Sequence, residues 1–282
     1  MLALRDTYNF VRWRLIPVRQ LSGVALQLKE GRRDRAPARP ANDVEVATKG
    51  YRPGPTMAPE QVEAIRAIYM PRAAQVAPTE RGHPFKNLMQ SEDFTVDNPV
   101  MRFAFSPEVL DAADAYFGGR VTLDSIQVLW SFPTDELRES QMWHRDYGDA
   151  KSFHCITYLN DVQSDADGPF VFVDRNDTKK IKASPIIRRI DDETFKQELG
   201  DGEILSFLGK AGESVFVDPA VCYHYGSRCK TGRLAIFVTF NTDRPYVPAQ
   251  SPLRECRHAA LEAARLIRPD LDEAYLRRLL NA

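Results

Sequence analysis

The chain has 282 residues, 43% of them apolar, and its 38 Lys plus Arg against 39 Asp plus Glu leave a formal charge of -1. A chain of this size can bury a full core, and without a field of one sign it has no means of drawing in nucleic acid or an anionic membrane, so function has to come from a local site. Cys155, Cys222, Cys229 and Cys256 are irregularly spaced and form no C-x-x-C pair, which argues against a disulfide framework and for reduced thiols in a cytoplasmic protein.

The N-terminal stretch MLALRDTYNFVRWRLIPVRQ scatters arginines among apolar residues, so it reads as an amphipathic helix rather than a signal peptide. No apolar run approaches the roughly 20 residues needed to cross a bilayer. From about Lys29 to Pro55 the sequence is rich in Arg, Pro and Gly and lacks a period, which predicts an extended connection. Helical spacing of Val62, Ile65 and Ile68 predicts a helix over 58–69, and a Ser-Pro start followed by a second apolar period predicts another over 106–117. The weakly periodic stretch 71–94 between them reads as a long loop and candidate lid. From Val121 onward come short β-rich runs, VTLDSIQVLWSF, FHCITYLNDV, GPFVFVD, ESVFVD and RLAIFVTFN, parted by polar or Gly-containing turns. They predict a mainly β fold with flanking helices, a jelly roll. Residues 176–209 read as an insertion holding the basic KKIKASPIIRR and a short helix, and the chain returns to helix after Pro252. The expected organisation is an N-terminal helix and linker over 1–55, one β domain with buttressing helices over 56–250, and a helical segment over 251–282.

Gln141-Met-Trp-His144-Arg-Asp146 follows a β-run, and a His and a carboxylate two residues apart on a strand point to one face, where they can clamp a cation. Far downstream Tyr223-His224-Tyr supplies a third ligand. Two imidazoles and one carboxylate form the facial triad that suits iron(II) and leaves adjacent positions open. His-Arg-Asp also opens the catalytic loop of protein kinases, but that motif needs an Asn where this chain has Lys151. Arg233, at the start of RLAIFVTFN, offers a guanidinium fork suited to the far carboxylate of a dicarboxylate that chelates the metal. His154 and Tyr158 alternate on one face of their run and reach the site only if that face is inward. Trp143 should turn away from the metal and pack the core.

From about Gln127 to Asn241 the sequence resembles the phytanoyl-CoA dioxygenase family of iron(II)/2-oxoglutarate oxygenases. The likeness rests on Trp-His144-Arg-Asp146, on Asn160-Asp161 followed by Gly168-Pro169, and on His224 followed by Arg233. It implies a double-stranded β-helix of the cupin kind. It also implies His144, Asp146 and His224 as metal ligands, Arg233 as anchor of the 2-oxoglutarate C5 carboxylate, Gln127 as a cosubstrate contact and Ser131, on the same face, as a hydroxyl beside it. Two departures stand out: Phe-Val-Phe-Val follows Gly168-Pro169 where many members have Pro-Gly-Ser-His, and Ala235 stands where a Ser or Thr often follows the anchoring Arg.

The implied activity is a dioxygenase using Fe(II), 2-oxoglutarate and O2, with ascorbate as a supporting reductant. It would hydroxylate an unactivated C–H bond of a small metabolite and release succinate and CO2. The basic KKIK and Arg pair point to an anionic or carrier-bound substrate. A cupin-like metal enzyme that does not use 2-oxoglutarate and a non-catalytic jelly-roll binding protein are the alternatives.

Overall fold

The computed structural model describes residues 43–78, 83–133, 135–182 and 189–282, with scattered positions before them. The helix expected at the N-terminus lies outside the described residues, as do positions 79–82 of the candidate lid and 183–188 of the insertion. In chain order the elements are α1 (Val44–Lys49), β1 (Tyr51–Pro53), α2 (Pro59–Ala73), β2 (Phe85–Asn87), α3 (Pro99–Ala104), α4 (Pro107–Phe117), β3 (Val121–Ser131) and β4 (Ser152–Tyr158). Then follow β5 (Phe170–Phe172), α5 (Arg175–Thr178), α6 (Asp192–Leu199), β6 (Leu205–Phe207), β7 (Ser214–Val217), β8 (His224–Tyr225), β9 (Arg233–Thr242), α7 (Arg257–Ile267) and α8 (Glu273–Leu280).

All named strand pairs are antiparallel and form two sheets, a larger one in the order β1-β7-β4-β9-β3-β2 and a smaller one in the order β6-β5-β8. The result is the expected mainly β jelly roll with flanking helices. Because successive side chains on a strand alternate between faces, the long strands β3, β4 and β9 serve two cores at once. Their outward residues, among them Ile126, Val128, Phe153, Cys155, Ile236, Val238 and Phe240, join one buried cluster with Ile65 and Tyr69 of α2, Val109 and Leu110 of α4, Leu261 of α7 and Leu279 of α8. Their inward residues Ile156, Tyr158 and Ala235 meet Phe170 and Phe172 of the small sheet. The helices have local causes as well: α4 starts on Ser106-Pro107, buries Val109, Leu110, Ala113 and Tyr116, and ends where Gly118 takes φ 61°.

Three stretches differ from the sequence reading. Within the supposedly extended tract, the Asp43 side chain accepts from Val46 N at 3.1 Å and caps α1, and β1 then pairs with the edge of β7. Pro- and Arg-rich composition hid a short capped helix and a three-residue strand that tertiary pairing stabilises. Much of the candidate lid is packed: β2 extends the large sheet beside β3, Leu88, Met89 and Phe94 are buried, and Arg72 reaches Asp93 at 2.5 Å. The end of the supposed insertion supplies β6, which pairs with β5. No helix among the described residues is long and apolar enough to cross a membrane.

Candidate functional site

His144 and His224, 80 positions apart in the sequence, sit directly opposite one another as an antiparallel bridge. Each donates its backbone N–H to the other's carbonyl, at 3.0 and 2.9 Å, which fixes the two Cα atoms as a hydrogen-bonded cross-strand pair. Each ring is also held by a backbone carbonyl two residues back: His144 Nδ1 lies 2.8 Å from Met142 O and His224 Nδ1 lies 3.0 Å from Cys222 O. A carbonyl can only accept, so both Nδ1 atoms carry hydrogen, which leaves Nε2 as the ring atom turned to a metal. The rings stand 4.3 Å apart, and Trp143 turns the other way to stack on Phe195 at 3.8 Å.

Asp146 completes the group. Its backbone N–H is tied to Pro219 O at 2.9 Å, and Oδ1 lies 3.6 Å from His144 Nε2 and 3.8 Å from His224 Nε2. One ligand atom from each of the three residues falls within 4.8 Å of the others, spacing that a single cation can fill. Burial pushes the His144 pKa down to about 3, and the neighbouring His224 pushes the same way. That imidazole is therefore neutral, the form that binds metal, at any ordinary pH. For Asp146 burial pushes upward, but the combined pull of His224, His154, His144 and Arg189 outweighs it and holds the carboxyl below its usual range. A carboxylate facing two imidazoles is a donor set for a divalent metal with N and O preference.

At the other end of the barrel interior, Arg233 is 1% exposed. It pairs with Ser131 across β3 and β9, donates to the Gly168 carbonyl and, through Nη2, to Ser227 Oγ at 3.1 Å and Ser131 Oγ at 3.5 Å. Its Nε meets no hydrogen-bond partner, and no carboxylate among the described residues pairs with it. A buried guanidinium without a counter-charge is expensive unless an anion joins it. The motif residues build this corner. Gly168 takes φ +71°, and a Cβ there would come within 2.6 Å of Cys229 N, while Asn160 Oδ1 accepts from Leu234 N at 2.8 Å and registers the start of β9. Both roles fit the Asn and Gly-Pro of the sequence pattern.

Ser131 stands opposite Arg233 on the inner face. Gln127 shares the inner face, opposite Phe237, but its amide donates to Gln250 at 3.4 Å. The inward option for His154 and Tyr158 is the one adopted: His154 Nε2 lies 3.8 Å from Asp146 Oδ2, and the Tyr158 hydroxyl donates to Phe207 O while the Arg233 guanidinium stands 5.6 Å from its ring. Burial lowers the His154 pKa to about 4. Next to the triad opens a cleft of about 530 Å³ lined by Asp124, Asp146, Tyr147, His154, Thr239, Asn241, Gln250 and Arg254 among others. Of these, Asp124, Asn241 and Gln250 drew no attention in the sequence. Gln250 lies beyond the β-runs, and nothing in the local pattern marks Asp124 as inward. The basic KKIK lies elsewhere, on an exposed surface where Lys180 pairs with Asp177 at 2.9 Å and Asp201 at 2.8 Å.

No family model matches the sequence, and no curated protein sequence does either. Solved structures share the fold. EctD from S. alaskensis with bound Fe is 17% identical, with 78% of this chain and 84% of that one covered at a TM-score of 0.51. The same protein with 2-oxoglutarate and 5-hydroxyectoine is 16% identical over 74% of this chain and 79% of that one, again at 0.51. The epimerase SnoN in complex with Fe3+, alpha ketoglutarate and nogalamycin RO is 16% identical over 70% and 80%, at 0.50.

Proposed function

We propose that the chain is an iron(II)- and 2-oxoglutarate-dependent dioxygenase of the phytanoyl-CoA dioxygenase kind, acting on a small-molecule metabolite. The observation that carries this reading is the pairing of two sites in one interior. Three ligand atoms lie within 4.8 Å of each other at one end, and an uncompensated buried guanidinium waits at the other. His144, Asp146 and His224 would hold the metal, and Arg233 with Ser131 would hold the far carboxylate of 2-oxoglutarate. That the EctD and SnoN structures were obtained with iron and with 2-oxoglutarate or alpha ketoglutarate supports the same assignment.

Iron held there, with 2-oxoglutarate and O2, would supply the oxidising power for C–H hydroxylation, with succinate and CO2 as the products of the cosubstrate. The chain's own groups set the geometry. The backbone carbonyls of Met142 and Cys222 fix the imidazole tautomers, and a metal-ligating His held in this way keeps its ring oriented. Arg233 orients the cosubstrate by charge and by its fork. Gln127 stands on the same inner face and is assigned a lesser, cosubstrate-side role.

The test is oxygen uptake and succinate release by the iron(II)-loaded protein with 2-oxoglutarate and ascorbate. It is run with cell metabolites and mass spectrometry, which looks for gain of one oxygen. Iron-dependent succinate formation is expected. Iron binding with no consumption of 2-oxoglutarate in any metabolite fraction would instead favour a cupin-like enzyme of another chemistry.

A further inference from the structure

The cleft beside the triad has a floor whose charge the metal chemistry does not use. On β3 the register with β9 pairs Leu123 with Phe240 and Ser125 with Thr239, leaving Asp124 as the extra residue of a β-bulge. A bulge lets two successive side chains turn to one side of a sheet, and bulges recur beside active sites for that reason. Asp124 accordingly leaves the helix-packed face of β3 and lines the cleft together with Asp146 and His154. Its carboxylate accepts from Asn241 Nδ2 at 3.1 Å and from Gln250 Nε2 at 2.8 Å. Both donors are neutral amides, and a carboxylate has about four lone-pair sites. No cation among the described residues pairs with it. Arg254, which also lines the cleft, donates instead to Glu255 at 2.8 Å and Ser251 at 3.4 Å. The next residue, Ser125, is 1% exposed and its hydroxyl meets no hydrogen-bond partner among the described residues.

We propose that Asp124 is a substrate-binding residue, and that the substrate of this cleft carries a protonated amine that seats against its carboxylate. This deepens the oxygenase reading and rests on it only in naming the ligand a substrate. An ammonium group supplies the charge that Asn241 and Gln250 do not, and a charge-assisted hydrogen bond in a partly desolvated cleft is about twice as strong as a neutral one. The carboxyl's own behaviour agrees: burial pushes its pKa up to about 7, with Asp146 and Asp149 adding to the rise and the Gln250 hydrogen bond opposing it. Ionised Asp124 therefore gains from a cation placed beside it. An anionic substrate, which the basic KKIK and Arg pair suggested, would meet Asp124 in the cleft, whereas Lys180 pairs with Asp177 and Asp201 outside it and Arg189 acts on Asp146.

The experiment compares cyclohexylammonium with cyclohexanol as probes of the nickel(II)-loaded full chain at pH 8, by calorimetry or ligand-observed NMR, in the wild type and in Asp124→Asn. The ammonium probe is expected to bind about tenfold more tightly than the alcohol, the size of one charge-assisted hydrogen bond. Asp124→Asn should bring the two to near equality. Equal affinities in the wild type, binding of neither probe, or a preference that survives in Asp124→Asn would each overturn the assignment. The wild-type comparison decides the matter even if the variant does not fold. Nickel binding is titrated separately: its absence, with the ammonium preference intact and lost in Asp124→Asn, would sink the metal reading and leave this one standing.

Discussion

The two faces of the large sheet are built from the same strands and do opposite work. On the outer face, Phe153, Val238 and Phe240 lie fully buried in the cluster shared with the helices, and the face is almost wholly apolar. On the inner face the apolar residues hold only the middle, while Ser131 and Arg233 occupy one end and His154, Thr239 and Asn241 the other. Two-residue alternation thus separates stability from chemistry along one backbone, and a substitution one position away should change its consequence entirely.

Several substitutions would break or sharpen that contrast. His144→Ala and Asp146→Ala, on the functional side, should abolish iron-dependent succinate release, while thermal denaturation shows a loss of only about 1 kcal/mol, the ordinary size for a single change. Phe240→Ala, on the outer side, should do the reverse. It empties a fully buried ring position and should cost about 3–5 kcal/mol by denaturant titration, with catalysis per folded molecule retained. Arg233→Met should raise the 2-oxoglutarate concentration for half-saturation by about 10- to 100-fold, the worth of a charge-assisted contact. The same change removes an uncompensated buried charge, so without cosubstrate its melting temperature should equal or exceed that of the wild type.

The smallest effect concerns pH. Asp218 accepts from the Tyr116 hydroxyl at 2.5 Å, Ala220 N at 2.9 Å and Ser152 N at 3.1 Å, yet burial outweighs these bonds and raises its pKa from 3.8 to about 6. A carboxyl whose folded pKa lies above its unfolded one contributes stability that is fully present below about pH 4 and lost as pH rises through 6. Asp218→Asn should flatten that part of the stability curve between pH 4 and 6. Equal slopes in the two proteins would contradict the assignment.

How much of this was legible before folding depends on range. The β-runs from Val121 onward are local patterns, and each appears in the structure as a strand. The His-x-Asp pair converges without the strand expected for it: His144 sits in an isolated bridge, and Asp146 lies outside any strand, tied by its backbone to Pro219. The Trp143 orientation followed from its place next to His144. What composition could not carry was pairing. His224 belongs to a strand of two residues, too short for any periodicity, and it faces His144 only because the two backbones bond reciprocally. The residues 43–53 read as linker because their β1 gains stability from β7, more than 160 positions downstream, rather than from its own sequence. Asp124 was hidden for a third reason: a bulge breaks the alternation on which face assignment depends.

The central claim is that one interior holds a metal at His144, Asp146 and His224 and a dicarboxylate at Arg233. Anaerobic titration of the iron(II)-loaded protein with 2-oxoglutarate, followed by the visible charge-transfer absorption of the chelate, tests both halves together. A saturable band is expected in the wild type, no band in His144→Ala, and a band in Arg233→Met that appears only at much higher 2-oxoglutarate. A band of unchanged strength and midpoint in both variants would contradict it.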